Sequence, residues 1–141
     1  MSMPRTLLST MRLVYIAGPY RGPNAWTIEQ NIRRAEDAAV RVWKAGMAAL
    51  CPHANARHML EGNVTDEHAL AGTLEMMRRC DAVLLVAGWR DSLGACAEVE
   101  EAHRMGLPVF GQFTLEQGLE DLLSFASVIE RRAASSPVPA P

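Results

Sequence analysis

CDAVLLVAGWRDSLGACAEVEEAHRMGLPVF, residues 80–110, decides the fold of this chain. Ala82 to Ala87 is apolar without interruption, the pattern of a strand buried on both faces. Gly88 to Asp91 reads as a turn. Ser92 suits a helix start, and the spacing predicts a helix from Leu93 to Met105 that Gly106 stops. Pro108 to Gly111 is a short second strand. Strand, helix and strand in this order make a parallel crossover unit.

The same alternation extends in both directions. Leu13-Val-Tyr-Ile-Ala17 predicts a first buried strand, followed by the loop Gly18 to Asn24. Thr27-Ile-Glu-Gln30 has the form of a capping box opening a helix to about Ala45. Ile32, Ala35, Ala39, Val42 and Trp43 form its apolar stripe, and Gly46 ends it. Met47 to Cys51 is a second strand. Pro52 begins a polar loop, PHANARHMLEGNVTDEH, whose length suggests that it covers a site. A helix is expected from about Glu67 to Arg79. After the fourth strand, Thr114 to Gln117 is a second capping box, opening a helix to about Arg132. Four to five parallel strands sandwiched by helices are expected, as one α/β domain over residues 11–132. Residues 1–10 read as a flexible extension, with Met11 as an alternative start, and the Pro/Ser/Ala-rich residues 133–141 as a disordered tail.

The bulk chemistry narrows the function classes. The 141 residues are 49% hydrophobic and 21% charged, enough for one ordinary core. A net charge of −2 carries no basic footprint for nucleic acid. No apolar run is long enough to span a bilayer, and the opening segment lacks a signal core. Cys51, Cys80 and Cys96 stand apart, without zinc spacing, and read as reduced core residues of a cytoplasmic protein.

Parallel α/β sheets bind ligands at the carboxyl ends of their strands, where the strand order reverses. If strands one and three are neighbours, two loops meet there. In the first, Gly18-Pro19-Tyr20-Arg21-Gly22, glycine admits close backbone approach and Arg21 offers a forked donor for phosphate; the alternative is a tight turn with a solvated arginine. In the second, Trp89 is placed to line a site and Ser92 either caps the helix or joins the amides of Leu93, Gly94 and Ala95 in an anion site. Glu98 near that helix start is favoured as a carboxylate, as a nucleophile or as a plain partner of the helix dipole. Ala95 and Ala102 share its flank, which suggests partial burial. Glu100 and Arg104 are spaced to pair. His53 and Asn55 are positioned to reach a ligand near the second loop. His53, His58, Asp66 and His68 match no established metal pattern, and Asp81 reads as a cap or turn residue.

The strings Tyr15-Ile-Ala-Gly-Pro19, Pro52-His53, Cys80-Asp-Ala-Val-Leu-Leu-Val86, Ser92-Leu-Gly-Ala-Cys-Ala-Glu98-Val-Glu-Glu-Ala102 and Gly106-Leu-Pro-Val109 together resemble the nucleoside 2-deoxyribosyltransferase superfamily, in particular its DUF4406 branch. The resemblance covers roughly residues 12 to 111. It implies a flavodoxin/Rossmann-like three-layer sandwich, a homodimer or larger oligomer, and a site needing neither metal nor organic cofactor. It implies that Glu98 attacks the anomeric carbon of the sugar and that Tyr15 steers it. In the branch acting on deoxynucleoside 5′-monophosphates, Ser92, Leu93 and Gly94 match the phosphate-binding string, and Gly18 to Gly22 match the loop that places Arg21 near substrate. Thr73 stands where relatives carry an aspartate. The expected activity is therefore cleavage of a nucleotide N-glycosidic bond, or transfer of the deoxyribosyl group to another base. The alternatives are a nucleotide-binding module without catalysis and a structural domain whose glutamate only stabilises a helix.

Overall fold

The computed structural model describes residues 11–57 and 62–135, with side chains to residue 127. Strand β1 is Leu13–Ala17, helix α1 Ala25–Lys44, β2 Ala48–Leu50, α2 Pro52–Ala56 and α3 Asp66–Arg78. They are followed by β3 Ala82–Leu85, a single 3₁₀ turn Trp89–Asp91, α4 Leu93–Met105, β4 Val109–Phe110 and α5 Leu115–Ser135. Among the described residues the strands form one four-stranded sheet, all parallel, in the order β2-β1-β3-β4. Val14 pairs with Ala82 and Ala17 with Leu85, so β1 and β3 are the two central strands.

Alternating strand residues point to opposite faces, and here both faces are covered. Val14, Ile16, Ala82, Leu84 and Val86 pack with Ala35, Ala38, Ala39 and Val42 of α1 and with Leu122 and Ala126 of α5. Tyr15, Ala17, Val83 and Leu85 pack with Met77 of α3 and with Val99 and Ala102 of α4. The result is the three-layer α/β sandwich. The chain runs from β1 outward to β2, then returns across β1 to β3. The order reverses between β1 and β3, the position at which doubly wound sheets bind ligands, and the loops that leave these two strands meet there, Gly88 lying against Pro19.

Several local expectations are corrected. Helix α1 begins three residues early, because the Asn24 side chain accepts from the Thr27 backbone N–H at 2.8 Å and takes the cap that Thr27 was expected to hold. Trp43 is not core. It is 55% exposed, since the small inward arc of α1 ends at Val42 and the next residue turns a further 100° away. Pro52 does not open a loop but starts the short helix α2, where its missing N–H costs nothing. Of the cysteines only Cys80 is buried. Helix α5 continues through Ser135, past the expected end at Arg132; residues 1–10, His58 and residues 136–141 lie outside the described residues. Of the second capping box only the cap forms: Thr114 Oγ1 accepts from Gln117 N–H at 3.1 Å, while the Gln117 side chain donates to Asp121 at 3.1 Å instead of reaching back.

Asp81 has a specific role at the amino-terminal end of the central strands. Its Oδ2 accepts the Leu13 N–H at 2.8 Å and so occupies the first amide of β1. Asp81→Ala is expected to cost about 1 kcal/mol, the net value of a part-exposed hydrogen bond, read as a lower urea midpoint at unchanged slope.

Candidate functional site

Ser92 ends the 3₁₀ turn in extended conformation, and its Oγ accepts from Ala95 N–H at 3.2 Å. That bond fixes the start of α4 and hence the phase of the helix. Ala95, Glu98, Val99 and Ala102 are all buried, with the spacing of one helical face. Glu98 thus occupies a core position on the stripe that faces the sheet, and only 7% of it is exposed.

Opposite lies Tyr15 of β1, fully buried. Tyr15 Oη and Glu98 Oε2 both lack a hydrogen-bond partner of good geometry, yet each lies near enough to shift the other's titration. Burial pushes the Glu98 carboxyl up to about 7, against the opposing pull of the Tyr15 hydroxyl. Burial, and then the Glu98 charge, hold the Tyr15 phenol well above its ordinary value. The Thr73 hydroxyl also acts on Tyr15, so α3 contributes to this cluster as well. A carboxyl titrating near 7 is divided between its two forms at neutral pH, suiting it to attack or to proton transfer.

The neighbouring glutamates separate cleanly. Glu100 does not pair with Arg104, as its spacing suggested. Arg104 Nε donates to Glu101 at 2.9 Å, and Arg78 Nε reaches the same carboxylate at 3.2 Å. These two guanidinium groups, Arg104 first, hold the Glu101 carboxyl down to about 2. Glu100 is exposed.

The first loop is held by contacts of its own. A Cβ on Gly18 would lie 2.7 Å from Val86 Cβ, and one on Gly22 would lie 2.5 Å from Thr27 Cγ2. Both glycines are therefore required by packing within the protein, whatever else approaches them. Tyr20 Oη donates to Ala56 O at 2.6 Å, and its ring sits edge-on to His53, centroids 5.9 Å apart. His53 Nε2 lies 3.0 Å from Pro19 O. A carbonyl only accepts, so Nε2 carries the hydrogen and Nδ1 is a bare acceptor, buried and unpartnered. Burial lowers the His53 pKa and favours this neutral form.

Asn31, missed in reading the sequence, holds the loop to α1: its Nδ2 donates to Tyr20 O at 3.1 Å and to Arg21 O at 3.3 Å. The available signal was an amide beside Ile32 on the apolar side of an amphipathic helix. Arg57 was missed as well. It donates to Glu29 at 2.6 Å and Glu36 at 2.8 Å, fastening the end of α2 to α1.

The structure therefore brings together Tyr15, Glu98 and Thr73, and, in a second group, Pro19, Tyr20 and His53. Arg21 joins neither group; it is exposed and paired with Asp66 at the start of α3. Trp89 is half-buried, donating to Gln112 O at 3.4 Å beneath the Arg90 guanidinium at 4.7 Å. Gly94 borders open space at the head of α4. Among the described residues no three His, Cys, Asp or Glu side chains gather as a metal-holding group, and no helix is long and apolar enough to cross a membrane.

A search of curated protein sequences returns no match. Residues 12–111, which contain every candidate residue above, match a domain of unknown function, DUF7768. The chain belongs to the DUF7768 family.

Proposed function

We propose that this domain cleaves the N-glycosidic bond of a nucleoside or deoxynucleoside 5′-monophosphate, with Glu98 as nucleophile. One observation carries the reading: two polar tips, Tyr15 Oη and Glu98 Oε2, are buried close to each other without a well-formed hydrogen bond, on the strand and helix that flank the reversal in strand order. Buried polar groups are normally satisfied, and an exception at a sheet's switch point suits a site that completes itself with substrate. The resemblance to nucleoside 2-deoxyribosyltransferases supplies the reaction type and the role of Glu98.

In this mechanism a Glu98 oxygen bonds to C1′ while the C1′–N bond breaks, and the base leaves with the bonding pair. Water then attacks C1′, the glycosyl ester breaks, and the carboxylate returns. The proton released by water balances the one taken up by the base. A second base in place of water gives transfer instead. Tyr15 orients the attacking carboxylate. The Ser92 hydroxyl accepts from Ala95 and keeps its own hydrogen for a phosphate oxygen, alongside the amides of Leu93 and Gly94. His53 Nδ1 offers an acceptor to a sugar hydroxyl or base N–H. Arg21 reaches phosphate only by leaving Asp66.

The test incubates the protein with ribo- and deoxyribonucleoside 5′-monophosphates and follows free base by chromatography. Base release is expected, falling on the order of a thousandfold or more in Glu98→Ala. The rate should rise with pH through about 7 as Glu98 loses its proton. Absence of release, or equal release by Glu98→Ala, overturns the proposal. Nucleotide binding without turnover would point to a non-catalytic binding module on the same fold.

A further inference from the structure

Two arginines stand on the loops that leave the carboxyl ends of β1 and β3, and they are held in opposite ways. Arg21, after β1, is paired with Asp66, so a carboxylate already meets its charge. Arg90, in the 3₁₀ turn after β3, makes no ion pair among the described residues, with Asp91 beside it or with any other carboxylate. What holds Arg90 is aromatic. Its guanidinium lies 4.7 Å from the centre of the Trp89 ring and 6.0 Å from that of Phe113. Trp89 is itself fixed, its indole N–H donating to Gln112 O, which joins the turn to the loop after β4. Phe113 is 86% exposed and adds little to the core; its ring meets this guanidinium instead.

Stacking uses the faces of a guanidinium. Its five N–H donors lie in the plane and stay free at the edge, in the fork that suits phosphate. A ring face also brings no anion, so the positive charge remains uncompensated. The turn carries this fork to the head of α4. Ser92 N–H donates to Trp89 O at 3.1 Å, and the Cys96 thiol donates to Arg90 O at 3.4 Å. The backbone of Arg90 is thereby pinned to the first turn of the helix. Ser92 is two residues on, at most about 7 Å of backbone, a length that an arginine side chain covers. Gly94 leaves open space beside it.

We propose that Arg90 is the phosphate-binding cation of this site and sets its preference for a nucleotide over a nucleoside. The proposal rests on the nucleotide reading given above, but not on the chemistry assigned to Glu98. The Ser92 hydroxyl and two backbone amides are neutral donors, and a phosphate monoester needs a counter-charge as well. Arg90 supplies it through charge-assisted hydrogen bonds. Trp89 and Phe113 order the side chain before the ligand arrives, so little of its freedom is lost on binding. A nucleoside has no phosphate and gains nothing from this residue.

Isothermal titration calorimetry of the full chain with deoxynucleoside 5′-monophosphates and the matching nucleosides tests it. The readout is the ratio of the two dissociation constants. Wild type should bind the monophosphate tighter by on the order of thirtyfold, the scale of hydrogen bonds to a charged group. Arg90→Gln, which keeps N–H donors without the charge, should lower that ratio by on the order of tenfold. Arg90→Lys keeps the charge but loses the fork and should fall between the two. Arg21→Gln should leave most of the ratio in place. Arg90 is exposed, and circular dichroism checks that each variant is folded. A wild type that binds both ligands alike or binds neither, an Arg90→Gln variant with the full ratio, or a ratio lost in Arg21→Gln instead overturns the proposal. Base release is a separate reading. A phosphate preference set by Arg90 without turnover would leave this assignment standing while that of Glu98 falls, and turnover without any phosphate preference would do the reverse.

Discussion

Glu98→Gln is expected to raise the melting temperature at pH 8 by on the order of 10 °C, while abolishing any base release. The stabilisation follows from burial. In the folded chain the carboxyl titrates near 7, up from the ordinary 4.5, a difference worth about 3 kcal/mol. The sign is fixed by linkage: the folded state holds the proton more tightly than the unfolded state, so folding is favoured at low pH. That advantage is complete below about 4.5 and is lost as pH rises through about 7. Wild type therefore weakens across this window, and the neutral amide does not. Melts at pH 4, 6 and 8 check it: the two proteins should coincide at pH 4 and separate progressively above it. Curves that stay parallel at every pH would mean that Glu98 is not desolvated in the native protein. A residue that destabilises its own fold at neutral pH is a common cost of an active site, and it gives the Glu98 assignment a readout separate from turnover.

Gly118→Ala is expected to destabilise by about 3 kcal/mol or more, against the ordinary sign for a helix. Replacing an interior helical glycine by alanine usually gains about 0.5–1 kcal/mol. Here the new Cβ would lie 2.5 Å from Gly111 Cα and 2.6 Å from Gly111 N. Gly111 cannot yield. Its φ is +87°, and a Cβ of its own would lie 2.9 Å from Leu85 O. The first turn of α5 is thus seated directly on the turn after β4, backbone to backbone. Gly72, inside α3, is the control. Nothing lies within 4 Å of its would-be Cβ, so Gly72→Ala should gain the ordinary increment. Urea midpoints of the two variants should move in opposite directions; the same direction for both would sink the account.

The fold was legible because its signals are local. Apolar runs in β1 and β3, Ser92 before α4, Gly106 after it and Thr114 before α5 specify elements whose residues lie close together in sequence. Local signals failed where two similar ones competed. Asn24 and Thr27 are both good caps three residues apart, and the chain used Asn24. Trp43 continued the apolar composition of α1 but not its phase. Pro52 marks the start of a loop by its local signal, although it is equally suited to a first helical residue.

Sequence by itself determined the α/β class, the succession of strands and helices, and the two loops that follow β1 and β3, because periodicity and helix caps act within a few residues. The phase of Glu98 with Ala95 and Ala102 also pointed to its partial burial. Only the tertiary structure decided that β1 and β3 lie side by side, and what that glutamate experiences. Its burial against Tyr15, with Thr73 acting on the phenol from a third element, is a long-range consequence of packing. The same holds for Glu101, whose carboxylate takes Arg78 of α3 as well as Arg104 of its own helix. It holds for Gly18 and Gly22, whose smallness serves contacts with Val86 and Thr27. Desolvation and close approach depend on which distant residues share a space, and no local pattern in one chain records that.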